Sequence, residues 1–306
     1  FTMMPSGGSK ARGEALAELS VLEHQLLTDP KVATWIAAAQ QEDLNDVEQA
    51  NLREMSRLHH QASLLPESLV EAKSLAGSRC EHAWRSQRPA NDWEGFSENL
   101  KEVVKHSREE ARLRAEATGC SPYDALLNIF EPGMTSAQLD VLFADVKSWL
   151  PDLLNKVVAK QSQQSLIAPV GPFPTAIQRE LGLETMAQLG FDFTAGRLDI
   201  SAHPFCGGVP EDVRITTRYD ENELLSALFG VIHETGHARY EQNLPHSWSG
   251  QPIALARSTA IHESQSLFFE MQLGRSKAFL TRLIPAVTRH FGDQAAFEES
   301  NFIAWN

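Results

Sequence analysis

The sequence predicts a mostly α-helical protein with one small antiparallel sheet. Residues 10–163 are rich in Ala, Leu, Glu, Gln and Lys, and their apolar side chains recur at steps of three and four, the period of an amphipathic helix. Residues 213–219 instead alternate apolar or aromatic side chains with polar ones, the period of a strand. The helical period returns after residue 220, so the predicted sheet is short.

Residues 1–165 are predicted to form an N-terminal helical region. Proline-containing breaks divide it into separate helices. Two apolar stripes within it, spanning residues 16–26 and 139–150, are expected to pack in helical cores. Pro151 is expected to end or interrupt the second of these helices.

Residues 166–306 are predicted to be a second region of one continuous fold. It opens with three prolines and a glycine in residues 168–174, which is typical of an extended linker, and a helix follows over about 175–189. Residues 191–200 predict two short strands around a glycine turn. Residues 213–219 are the strongest strand candidate, a half-buried edge strand that carries Arg214 and Arg218 on one face.

Composition and charge exclude several classes of function. The chain has 27 Lys and Arg against 40 Asp and Glu, a net charge of −13, which disfavours binding to nucleic acid or to an anionic membrane surface. No apolar run approaches the roughly 20 residues of a membrane-spanning helix. Three cysteines are an odd and sparse set, which favours a reducing compartment over a disulfide framework.

The motif HETGH, residues 233–237, carries the clearest chemistry in the chain. On a helix, residues four apart lie on the same face, so the imidazoles of His233 and His237 would lie side by side as two ligands of one Zn²⁺ ion. Glu234 lies next to this pair, where it would polarise a water on the metal. Gly236 costs about 1 kcal/mol relative to alanine inside a helix, so its presence indicates a close backbone neighbour or room beside the metal.

The surrounding sequence predicts the helix that carries this motif. Asp220 and Glu223 resemble a capping box, and Asn243 with Pro245 marks the stop. The chain lacks a histidine six residues after His237, so a carboxylate is the expected third ligand.

Glu263 is the preferred third ligand. It lies 26 residues after His237 in an apolar-periodic segment over about 253–273 that ends at Gly274, enough chain for a second helix to return past the first. Glu270, two turns further on, is a rival ligand.

Four motifs in order resemble the carboxypeptidase Taq family of zinc carboxypeptidases. They are HPF at 203–205, DVRITTRY at 212–219, HETGH at 233–237 and HESQ at 262–265, and similar segments occur near residues 3–8 and 123–133. The resemblance implies a mostly helical, zincin-like peptidase with a long groove and with the small sheet beside the metal site. It also implies peptide substrates cut one residue at a time from the C-terminus, Zn²⁺ or Co²⁺, homodimers and a cytoplasmic location.

Carried over by position, His233, His237 and Glu263 would be ligands, and Glu234 the general base and proton shuttle. The strand motif at 212–219 would lie along the groove wall, where the backbone of an extended peptide could pair with an edge. His203 would be a further groove residue, although a structural histidine before Pro204 is an equal alternative.

Two later motifs of the family, one of which supplies an arginine for the substrate carboxylate, do not occur before Asn306. Arg214 and Arg218 are available for such a contact, but nothing in the sequence shows that they replace it. We therefore expect either the N-terminal and metal-binding part of a longer enzyme or an unusually short member. The alternative functions are an oligopeptidase or dipeptidyl-carboxypeptidase of the same type, and a catalytically incomplete metal-binding fragment.

Overall fold

The computed structural model describes residues 2–306 and is mostly helical, as predicted. The helices are α1 Ser9–Leu27, α2 Pro30–Ala39, α3 Asp46–Ser63, α4 Glu67–Gln87, α5 Trp93–Thr118, α6 Pro122–Phe130, α7 Ser136–Gln161, α8 Thr175–Gln188, α9 Leu225–Gln242, α10 Thr259–Leu267, α11 Lys277–Phe291 and α12 Glu299–Trp305. None of the described helices is long and apolar enough to cross a membrane.

The chain divides into two compact units. One contains Met3–Gln138 and Trp248–Arg257, and the other contains Leu139–Ser247 and Ser258–Asn306. The predicted boundary at residue 165 marks a change in amino-acid composition and not the limit of a compact unit. It therefore stays a prediction.

The two apolar stripes expected to pack in cores are largely exposed. In α1 the buried residues are Gly13 and Ala17, while Leu19 and Leu22 are 59% and 52% exposed, because α1 packs on α4 through its small residues. In α7 the side chains of Leu142, Phe143 and Leu150 are exposed. An apolar stripe predicts burial only where another element covers it.

Two predicted helix limits are also corrected. Helix α7 runs through Pro151 to Gln161, so this proline removes one backbone hydrogen bond without ending the helix. The segment predicted over 253–273 begins as an α-helix at Thr259 and continues as a π-helix over Phe268–Gly274, so only its predicted end is confirmed.

The small sheet lies in the second unit and is mixed rather than antiparallel. Its strands are β1 Gly196–Ile200, β2 Cys206–Val209 and β3 Asp212–Thr217, in the order β1-β3-β2. Strand β3 is parallel to β1 and antiparallel to β2, so it is the central strand and not the predicted edge. Residues 191–200 form one strand, because Phe193–Ala195 is a 3₁₀ turn.

Helix α9 lies against β3 and forms the centre of this unit. Ile232 and Val231 are fully buried, and Leu228 and Phe229 join the apolar core that α11 and α12 complete. The capping differs from the prediction, because α9 begins five residues after Asp220. The Glu223 carboxylate accepts from the amides of Leu225 and Ser226, at 3.0 and 2.6 Å, and caps the helix alone. The predicted stop at Asn243 is confirmed.

Candidate metal centre

Helix α9 places two imidazoles side by side. His233 and His237 are four residues apart, and their ring centroids lie 5.0 Å apart at an interplanar angle of 78°. The opposite face of the helix is anchored in the core, so these rings project from a rigid support. Glu234 lies between them in sequence and is only 5% exposed.

Helix α10 brings a carboxylate to the same point. Glu263 Oε1 lies 3.8 Å from His233 Nε2, and Glu263 Oε2 lies 3.2 Å from His237 Nε2. One ligand atom from each of the three side chains lies within 4.8 Å of the others. Two imidazole nitrogens and one carboxylate oxygen are a donor set that catalytic zinc sites use. These three residues, here called the ligand cluster, could therefore hold a divalent cation.

A glycine sets how closely the two helices approach. A Cβ atom at Gly236 would lie 2.9 Å from the carbonyl oxygen of Gln265 and 3.1 Å from Cβ of Phe269. Of the two explanations that the sequence left open for this glycine, the close backbone neighbour is present in the structure. The absence of a side chain lets α10 bring Glu263 to the histidines.

Glu270 approaches the cluster from the other side of His233. Its Oε2 lies 3.0 Å from His233 Nδ1, the ring nitrogen that faces away from Glu263. It is therefore not a member of the three-residue cluster, although the sequence made it a rival of Glu263.

A second hydrogen-bonded group lies behind His237, and the sequence did not predict it. His262 Nδ1 lies 2.6 Å from His237 Nδ1, and His262 Nε2 lies 2.7 Å from Glu241 Oε1. The available signal was spacing, since Glu241 follows His237 by four residues and lies on the same helix face.

Burial controls the protonation of the central residues. It raises the pKa of Glu234 to about 7, with a further rise from the charge of Glu263 and an opposing effect of His233. It also lowers the pKa of His237 to about 4, as do the neighbouring His262 and His233. His237 is therefore neutral at neutral pH, the form that can bind a metal.

The site also contains a buried polar atom that needs a partner. Among the described residues, Glu234 Oε2 has no hydrogen-bond partner, although it is buried. Such an atom is costly unless water or a ligand satisfies it. Together with the donor set, this fits a metal centre at which Glu234 faces a water or a substrate.

The three predicted substrate-binding residues lie on or beside the sheet. His203 and Arg218 are exposed, and Arg214 is held by Asp212 at 2.7 Å in β3. Within the described residues, no hydrogen bond or ion pair joins these three to the ligand cluster. Strands β1 and β2 occupy both edges of β3, so β3 itself offers no edge to a peptide, and pairing of a peptide with an edge of the sheet stays a prediction.

Three comparisons with known proteins agree with each other. The family model described as carboxypeptidase Taq (M32) metallopeptidase matches residues 1–305. Thermostable carboxypeptidase 1 of Thermus thermophilus is 38% identical over 303 residues, with 95% of this chain and 59% of that protein covered. Carboxypeptidase 1 of Bacillus subtilis is 35% identical, with 92% of this chain and 56% of that protein covered.

A solved structure gives the same result for the fold. Trypanosoma cruzi metallocarboxypeptidase 1 superposes with a TM-score of 0.88 at 49% identity, over 99% of this chain and 61% of that one. The chain therefore spans about three fifths of the length of the proteins that it matches.

Proposed function

Because the chain belongs to the carboxypeptidase Taq (M32) family of metallopeptidases, we propose that it carries the catalytic metal site of a zinc metallocarboxypeptidase. The reaction would release single residues from the C-termini of peptides. The observation that carries this proposal is the ligand cluster with the buried carboxylate of Glu234 beside it.

His233 Nε2, His237 Nε2 and one carboxylate oxygen of Glu263 would hold the cation. Zn²⁺ suits two imidazoles and a carboxylate, and Co²⁺ accepts the same donors. When bound, the cation supplies the positive charge that makes a nearby water more acidic and polarises the scissile carbonyl.

Glu234 would act as the general base. Its Oε2 accepts a proton from the attacking water and then donates that proton to the nitrogen of the leaving residue. Burial raises the pKa of this carboxyl to about 7 in the metal-free protein, and a base with a pKa near the working pH takes up and releases a proton readily. Its burial keeps bulk water from competing for that proton.

We also propose residues that bind the C-terminal carboxylate of the substrate. A planar guanidinium matches a free carboxylate with two parallel hydrogen bonds. Arg218 is exposed and available for this contact, whereas Arg214 would first have to leave Asp212. We place His203 with them as a groove residue, on the family resemblance alone. Homodimers, a cytoplasmic location and the absence of nucleic-acid partners likewise stay predictions.

Product analysis tests the proposed activity. We expect the zinc-loaded protein to remove one residue at a time from a peptide with a free C-terminus and to leave its C-terminally amidated form intact. Cleavage of the amidated peptide would favour an oligopeptidase, and release of dipeptides would favour a dipeptidyl-carboxypeptidase. Zinc binding without any cleavage would indicate a catalytically incomplete metal-binding unit.

A further inference from the structure

The two histidines of the ligand cluster have the same orientation. Each presents Nε2 towards Glu263, at 3.8 Å from His233 and 3.2 Å from His237. Each also presents Nδ1 to a polar group outside the cluster, namely Glu270 for His233 and His262 for His237. An imidazole has only these two nitrogens. Each ring is therefore hydrogen-bonded through Nδ1 while its Nε2 faces the cluster.

The group behind His233 is itself fixed in place. Glu270 lies in the π-helical segment Phe268–Gly274, and its other oxygen lies 3.5 Å from Nη2 of Arg275. The Arg275 guanidinium lies 4.3 Å above the ring of Phe229, a core residue of α9. Through Arg275, the carboxylate of Glu270 is therefore connected to α9, the helix that carries His233.

The group behind His237 is a pair of residues. His262 packs between His237 and Tyr240, with ring centroids 4.7 and 4.6 Å away, and its Nε2 lies 2.7 Å from Glu241 Oε1. A carboxylate accepts from a ring N–H, so Glu241 fixes the proton of His262 on Nε2. His262 Nδ1 is then an acceptor, and His237 donates Nδ1–H to it and keeps the lone pair of its own Nε2.

We propose that Glu270 and the His262–Glu241 pair are positioning residues, which hold His233 and His237 with the Nε2 lone pairs directed at the cation. The inference rests on the proposed function only in requiring that the cluster binds a metal. Ligating histidines characteristically donate their second ring N–H to a carboxylate or another acceptor, which fixes the ring and its tautomer. Here the carboxylate of Glu270 accepts from His233. His262, which is itself hydrogen-bonded to Glu241, accepts from His237.

Zinc affinity of variants tests the proposal. We expect Glu270→Ala and Glu241→Ala each to weaken zinc binding by about 10- to 100-fold in competition with a chelator. Glu270→Gln and Glu241→Gln should recover most of this loss, because an amide oxygen also accepts a hydrogen bond. Glu298 offers a matched control, since its side chain is exposed in the same unit, and Glu298→Ala should leave the affinity unchanged. Unchanged affinity in both alanine variants would overturn the proposal.

An NMR readout separates positioning from a general loss of structure. In the zinc-loaded protein with ¹⁵N-labelled histidine, two slowly exchanging Nδ1–H protons should be present. Glu270→Ala should speed exchange only at His233, and His262→Ala only at His237. Protons on Nε2 of His233 or His237, or equal changes at both rings in each variant, would contradict the assignment. A wild-type protein that binds zinc tightly but cleaves no peptide would contradict the proposed activity alone.

Discussion

Gly236 of α9 and Ser266 of α10 approach so closely that a Cβ atom on Gly236 would lie 2.6 Å from the Cα atom of Ser266. Gly236 directly precedes His237, and Ser266 follows Glu263 by three residues. The separation of the two backbones at this point therefore sets the separation of His237 and Glu263, whose nearest polar atoms are 3.2 Å apart.

We accordingly expect Gly236→Ala to impair zinc binding. The added methyl group meets backbone atoms, so the helices must move apart and carry Glu263 away from the histidines. Gly230→Ala is the matched control on the same helix, because its Cβ would meet only Thr217 Oγ1 at 3.6 Å. Titration of both variants with zinc checks this, and equal affinities would show that the close approach is not needed.

The two candidate carboxylates should behave differently. Glu263→Ala removes one of the three proposed ligands, so the purified variant should contain little zinc. Glu270→Ala removes only the group behind His233, so that variant should still take up one zinc at millimolar metal. Metal analysis of both proteins shows which of the two carboxylates binds the zinc. Full zinc occupancy in Glu263→Ala would assign the third ligand elsewhere.

The raised pKa of Glu234 predicts a pH dependence of stability in the metal-free protein. Its pKa is about 7 in the fold, against an ordinary value of 4.5, so the fold favours the protonated form. The stability from this preference is full below pH 4.5 and is lost as the pH rises through 7. Glu234→Gln resembles the protonated form at every pH and avoids this loss.

Between pH 5 and pH 8 the free energy of unfolding of Glu234→Gln should therefore rise relative to wild type, by at most about 3 kcal/mol. Urea unfolding of the two metal-free proteins at both pH values measures this difference. A difference that is the same at both pH values would show that Glu234 titrates normally in the fold.

The pairing of the two histidines in the ligand cluster was predictable because its signal is local. Two histidines four residues apart share a helix face by geometry alone, and Glu263 needed only a second helix that returns past the first. The helix stop at Asn243 was equally local.

The predictions that were wrong depend on how distant parts of the chain pack together. The sequence could not show that β3 is central, because strand order depends on segments that meet only in the fold. The apolar stripes of α1 and α7 could not show which face another element covers. His262 and Glu241 were overlooked as partners because they come from different helices, and the π-helical turns that direct Glu270 towards His233 have no clear sequence signal.

The Glu234→Gln variant tests most directly whether Glu234 is the general base at a zinc site. Zinc content and peptide hydrolysis should be measured together on this variant and on wild type, with free C-terminal peptide as substrate. We expect Glu234→Gln to bind zinc as wild type does but to lose hydrolysis, because an amide cannot take a proton from water. Hydrolysis at the wild-type rate in the zinc-loaded variant would contradict the role of Glu234 as general base.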